Sequence, residues 1–150
     1  MADTTSQEYI RDSTTLADAA TWGLIGSGEC VAATEYFTGV PAPTADWTIG
    51  TDPIKVVNGD GTINSAVKPG TAIMTPGDNG RYPQGEVPKN SATYVGPGQL
   101  PGSIKVIDQW NAHPEIDRPA HPPSVRTIFL DNTHAVSDNS NAYYVIFAAR

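Results

Sequence analysis

The sequence predicts an α+β domain in which N-terminal helices pack on an antiparallel sheet. Three observations carry this. Gly and Pro are abundant, 14 and 13 of 150 residues, so turns are frequent and regular elements short. Stretches with helical spacing lie before Pro41, whereas the β-rich apolar runs lie beyond Gly70. Those runs are bounded by Gly, Pro, Asn or Asp, as strands are. The expected sheet has about four to six short strands. The length fits one domain, 1–150, with a real core, of which residues 1–8 read as a flexible terminus.

The elements follow in order. Residues 12–22 form a candidate short helix, with Ser13 as N-cap and Leu16, Ala20 and Trp22 as a weak apolar face. Gly26 and Gly28 break the chain. A second helix is expected over 29–37, with Val31, Thr34 or Glu35, and Phe37 giving partial amphipathicity. Gly39 and Pro41 end it. Residues 41–60 are loop, with Trp47 and Ile49 anchoring it to the core. Asn58-Gly59-Asp60-Gly61 is a tight-turn signal. Strands are expected over 71–75, 91–96, 103–110, 125–130 and 142–148. The second and third are candidates for an antiparallel pair. The stretch 113–123, with four prolines, reads as irregular.

Charge and composition exclude several functions. The net charge is −7 and there is no basic run, so nucleic acid is not an expected partner. No apolar run approaches the ~18 residues of a membrane span, so membrane insertion is not expected. The first residues lack a basic start and an apolar middle. The expectation is a cytoplasmic product made without a signal peptide. One cysteine leaves no internal disulfide and no Cys-based zinc site. His113, His121 and His134 have no ligand partner at metal-site spacing, so no metal and no cofactor are expected.

The chemistry starts at Cys30. It follows Gly26-Ser27-Gly28-Glu29 and opens an apolar helical stretch. Thiolate is the reactive form of cysteine, and helix-start amides favour negative charge. A cysteine hydrolase also needs an imidazole to take and return a proton, and a polar group to orient that imidazole. In a helix-then-sheet arrangement the facing strands supply both. The slots are the start of the 91–96 strand and Asp108 at the end of the next. The bland alternatives are a buried core cysteine and a turn-capping carboxylate.

The segment Gly28-Glu29-Cys30-Val31-Ala32 resembles the nucleophile motif of CHAP-type and NlpC/P60-type papain-like amidases. More closely, the chain resembles the BPSL0067 family. The matching pieces are Gly26-Ser27-Gly28-Glu29-Cys30-Val31, Gly70-Thr71-Ala72-Ile73, Asn79-Gly80-Arg81-Tyr82-Pro83, Val106-Ile107-Asp108-Gln109-Trp110 and Asn141-Ala142-Tyr143-Tyr144-Val145-Ile146. They fall in the family's order. The resemblance implies a papain-like fold and a cysteine amidase that cleaves an amide in a peptidoglycan stem peptide. It implies Cys30 as nucleophile, with its own backbone amide as oxyanion donor. Asp108 would orient the base, and Glu29, Tyr82, Gln109 and Trp110 are candidates to line the substrate site. Bland roles stand beside these: dipole stabilisation for Glu29, packing for Tyr82, Gln109 and Trp110. Small amidases of this kind are delivered as antibacterial type VI secretion effectors that act in a bacterial periplasm. A cognate immunity protein that plugs the cleft is then the expected partner.

One departure matters. The family strand reads His-x-Ala-x-Tyr, with the histidine as base. Here the stretch is Asn90-Ser91-Ala92-Thr93-Tyr94, so Asn90 falls in the histidine slot. Asparagine shares part of the shape of imidazole but takes up no proton at neutral pH. Three explanations stand open: an inactivated amidase, a binding module that keeps the cleft, or an imidazole supplied by His113, His121 or His134. The first predicts a weak or inactive enzyme.

Overall fold

The computed structural model describes residues 23–41, 43–85, 87–130 and 136–148. The expected helix over 12–22 and His134 lie outside the described residues. Among those described, one α-helix, α1 (Cys30–Thr38), precedes five strands: β1 (Ala72–Met74), β2 (Ser91–Pro97), β3 (Ile104–Trp110), β4 (His121–Ile128) and β5 (Tyr144–Val145). The strands form one sheet in the order β4-β3-β2-β1-β5. Every neighbouring pair is antiparallel. This is an α+β architecture, with the helix set on the sheet.

Helix α1 begins where the glycines end and stops at Gly39, which adopts φ 82° and donates its N–H to the Glu35 carbonyl at 2.9 Å. That left-handed closure is why glycine stands there. The buried side of α1 is Ala33, Thr34, Phe37 and Thr38. Ala33 and Phe37 pack on Ile107 of β3, with Ile25 and Val95 at the margin. Thr34 ties the helix to β2 through Ser91, Oγ to Oγ at 2.7 Å.

Alternation along the strands sorts the remaining core. Ile73, Ala92, Tyr94, Ile104, Val106, Ile128 and Val145 share one apolar cluster with Val56, Val57 and Tyr143. The adjacent positions Ala72 and Met74 belong to a second cluster with Trp47, Tyr82 and Ile146. Trp47 is fully buried and Ile49 packs beside it, so the long loop is anchored where expected. The turn at Asn58 forms as well: the Gly61 N–H donates to the Asn58 carbonyl at 2.9 Å, and Val57 bridges Ile63.

The sheet departs from expectation at β4. It starts at His121, inside the proline-rich stretch read as irregular. Asp108 pairs with Ser124 and Trp110 with His121. Two steps on β3 therefore oppose three on β4, and the extra residue falls at Pro122-Pro123. Prolines give no ladder N–H and are accommodated at bulges and edges. A second irregularity, at Val95 between Tyr94 and Gly96, bends β2 against β3.

Candidate active site

Cys30 is the first residue of α1, and Glu29 is its N-cap. The Glu29 side chain does not cap the helix; it accepts from Asn111 Nδ2 at 2.7 Å. The loop before Cys30 is clamped by β3. Gln109 Oε1 accepts from the Ile25 N–H at 2.8 Å. Its Nε2 donates to the carbonyls of Ile25, at 2.8 Å, and Glu29, at 2.9 Å. The Asn111 amide also donates to the Ser27 carbonyl at 3.0 Å. These contacts fix where the helix starts, and so where the thiol sits.

Gly28 explains the glycine in the motif. Its φ is +84°, and a Cβ there would stand 2.0 Å from Asn111 Oδ1. Gly28→Ala is expected to destabilise the chain by about 1–3 kcal/mol through the left-handed backbone alone. Adding Asn111→Gly should recover only the clash. Thermal unfolding of the single and double variants checks this, and full recovery in the double variant would refute the backbone part.

Cys30 is half-buried. Its Sγ lies 3.4 Å from the Tyr82 hydroxyl. Burial first, and then the nearby Cys30, push the Tyr82 phenol far above its ordinary range. Tyr82 therefore stays neutral, as a hydrogen-bonding wall behind the thiol. It is nearly buried and packs on Trp47 with ring centroids 5.4 Å apart.

Asn90 and Asp108 meet at the end of the sheet. Asn90 is 5% exposed and Asp108 fully buried. Asn90 Nδ2 donates to Asp108 Oδ2 at 3.0 Å and to the Tyr143 hydroxyl at 2.8 Å. The Tyr143 hydroxyl in turn donates to the Ser137 carbonyl at 2.8 Å. Arg126 closes on Asp108 from β4. Its Nε lies 2.9 and 3.1 Å from the two carboxylate oxygens, and its Nη2 2.9 Å from Oδ2. The same guanidinium reaches Asp138 at 3.1 Å. His121 Nε2 approaches Asp108 Oδ1 at 3.2 Å, and its ring stacks on Trp110 at 4.2 Å. Burial alone would raise the Asp108 carboxyl. The His121 hydrogen bond, the Arg126 charge and the Asn90 amide outweigh it and hold the group below the usual carboxylate range.

A cleft of about 490 Å³ joins these elements; Glu29, Cys30, Asn90, Trp110, His113 and Arg118 are among the residues on its wall. A second depression, about 620 Å³, lies over residues 48–50 and 76–80, and it is lined by neither Cys30 nor a histidine. The structure thus brings Cys30 and Asn90 to one cleft and sets Asp108 against Asn90. Glu29 and Trp110 face the same space. Gln109 is fully buried and its side chain is engaged by the loop before Cys30.

Two comparisons return nothing: no protein-family model matches the chain, and no curated protein sequence does. Among solved structures, the chain is similar to type 6 secretion amidase effector 2 (Tae2). The two share 24% identity over 89% of this chain and 94% of that one, with a TM-score of 0.63. The fold is papain-like. At this identity the likeness is one of fold, and it fits the helix-borne cysteine facing a strand.

Within that papain-like fold, His121 does not sit where the proline-rich sequence suggested. It is part of β4, its side chain is 21% exposed, and it is tied to Asp108 rather than free in a loop. Asp108 is likewise not a turn cap but the buried centre of a polar network. His113 lines the cleft with Cys30 and pairs with Glu115 at 3.2 Å. Arg126 and Tyr143 escaped the sequence reading. Arg126 had a signal: it falls in phase with the buried Ile128, so a cation is aimed inward. Inward cations need a carboxylate, and Asp108 is the buried one on the neighbouring strand, diagonal to Arg126 in the register.

Among the described residues no cluster of three or more His, Cys, Asp or Glu could hold a metal ion, and no helix is long and apolar enough to cross a membrane.

Proposed function

We propose that this chain is a cysteine amidase of the cell-wall effector kind, acting on peptidoglycan peptide amides, whose catalysis is silenced by Asn90. The observation that carries the reading is the Asn90–Asp108 hydrogen bond at 3.0 Å beside the cleft that holds Cys30. It is the bond an orienting carboxylate makes to a base, made here to an amide. The similarity of fold to an amidase effector supports the same reading, as do the sequence pieces shared with the BPSL0067 family, to which we assign the chain.

The reaction such a site performs is acyl transfer. The Cys30 thiolate attacks the amide carbon, and the oxyanion is held by the Cys30 backbone N–H at the uncapped helix start. The C–N bond breaks as the amine leaves with a proton, and water then hydrolyses the thioester. Each proton transfer needs a group that binds and releases a proton near neutral pH. Asn90 does neither. Export by a type VI machine, action in a periplasm and a neutralising immunity protein belong to this reading.

The test is hydrolysis of purified peptidoglycan by the chain, by Asn90→His and by Asn90→His carrying Cys30→Ala. Hydrolysis by the first variant alone supports the proposal. Hydrolysis by the unaltered chain would refute silencing and point to His113, the imidazole that shares the cleft. The thiol itself is tested by iodoacetamide: labelling at Cys30 in the native chain is expected, and protection until unfolding would make Cys30 a core residue.

A second reading, a non-catalytic binding module, is favoured by the completeness of the network around Asn90. Both donors of its amide are engaged, by Asp108 and Tyr143, so the asparagine is built in and the cleft beside it stays open.

A further inference from the structure

The cleft's charge opposes that of the molecule. The chain carries −7, yet Lys89, Arg118 and Arg126 line the cleft against one carboxylate, Glu29. Three of these four are engaged. Arg126 is held by Asp108 and Asp138. Glu29 accepts from Asn111. Lys89 Nζ donates to the Gly85 carbonyl. Arg118 differs. Among the described residues no carboxylate pairs with it, and its guanidinium lies over the Trp110 ring, 4.1 Å from the centroid.

The backbone that carries Arg118 is fixed. His113 and Arg118 exchange both backbone hydrogen bonds, at 2.7 and 3.0 Å. They do so around a short 3-10 turn closed by Asp117 at φ 56°. Trp110 Nε1 donates to the Pro119 carbonyl at 3.1 Å and holds the ring beside the turn. A guanidinium over an indole loses solvent from one face while its in-plane N–H donors stay available. Those donors match a planar carboxylate.

We propose that Arg118 is a specificity-determining residue of this cleft, selecting peptides that carry a free carboxylate near the amide presented to Cys30. The inference rests on the proposed function for the cleft being a peptide site. Lys89, held on the Gly85 carbonyl, adds positive potential to the same wall. Carboxylate recognition by a preorganised Arg lowers the dissociation constant, and amidation of that carboxylate removes the gain.

The test is calorimetric binding to the chain carrying Cys30→Ala, which precludes turnover. The probes are the tetrapeptide L-Ala-γ-D-Glu-L-Lys-D-Ala with free carboxyls, and the same peptide with every carboxyl as carboxamide. The free acid is expected to bind about tenfold tighter or more, the worth of one charge-assisted contact. Arg118→Gln should abolish most of the difference, and Arg118→Lys should keep part of it. Equal binding of both probes, no binding of either at millimolar peptide, or a difference that survives Arg118→Gln would overturn the proposal. Hydrolysis by Asn90→His reads the amidase assignment separately. If that variant hydrolyses cell wall but the probes bind equally, the amidase reading stands and the role of Arg118 falls. The opposite pair of results keeps Arg118 and removes the amidase.

Discussion

Asn90→His is expected to raise peptidoglycan hydrolysis by about 10³-fold or more, the scale on which triad bases act. The geometry says why one substitution suffices. Histidine and asparagine share their first two side-chain carbons, so imidazole Nδ1 falls near the position of Asn90 Nδ2. That nitrogen already donates to Asp108 Oδ2 at 3.0 Å. An Nδ1–H placed there would keep the bond and fix the tautomer. Nε2, further along the ring, is then free to accept a proton in the cleft that Cys30 lines. Tyr143, which loses the Asn90 donor, keeps its own bond to the Ser137 carbonyl. Burial pushes the Tyr143 hydroxyl well above its ordinary range, so it does not compete as a base. A variant that folds, as judged by unfolding temperature, yet hydrolyses no faster than the parent would remove position 90 from the reaction. The double variant with Cys30→Ala must lose the gain entirely.

Arg126→Met carries the largest expected cost in stability. It leaves Asp108 fully buried with only His121 and Asn90 for support. Breaking a buried ion pair from one side typically costs about 3–5 kcal/mol, a fall in melting temperature of roughly 10 °C. Removing the charge as well, with Asp108→Asn, should return most of it, because two neutral partners carry no uncompensated charge. The pH dependence follows from the same group. The Asp108 carboxyl titrates lower in the folded chain than in the unfolded one, so its contribution to stability is complete above the unfolded value of about 3.9. It is lost as pH falls from there through the folded value. Acid unfolding of the parent should therefore steepen below about pH 4, and Arg126→Met should show a shallower dependence. An equal acid slope in both, by chemical denaturation at stepped pH, would exclude the Arg126–Asp108 pair as the source.

What the sequence revealed and what it hid have separate physical causes. Helix α1 was legible because its ends are written in glycines, at Gly28 and Gly39, where the backbone needs positive φ. Strands β2 and β3 were legible as β-rich apolar runs bounded by turn residues. The start of β4 was not, because two prolines mark irregular backbone everywhere except at a bulge, and a bulge is a property of the partner strand's register. Cys30 and Asp108 were found as positions. The chemistry around Asp108 was not, since Arg126 is brought to it by the pairing of β3 with β4, and Tyr143 reaches it only through Asn90 from a distant part of the chain. Gln109 shows the opposite error. As part of the Asp108-Gln109-Trp110 segment it read as a substrate contact, but the alternation that buries Asp108 on one face turns Gln109 to the other. There it secures the loop that delivers the cysteine.

The place of β4 in the sheet bears on whether copies of the chain can join edge to edge. It is the outer strand at one end of the sheet order, and an uncovered outer strand is a template on which a second chain can extend the sheet. Pro122 and Pro123 carry no amide hydrogen, so this stretch of β4 has fewer donors to offer a second chain, and the register shift they occupy breaks the regular ladder. The two residues that obscure the strand in the sequence thus act against self-association.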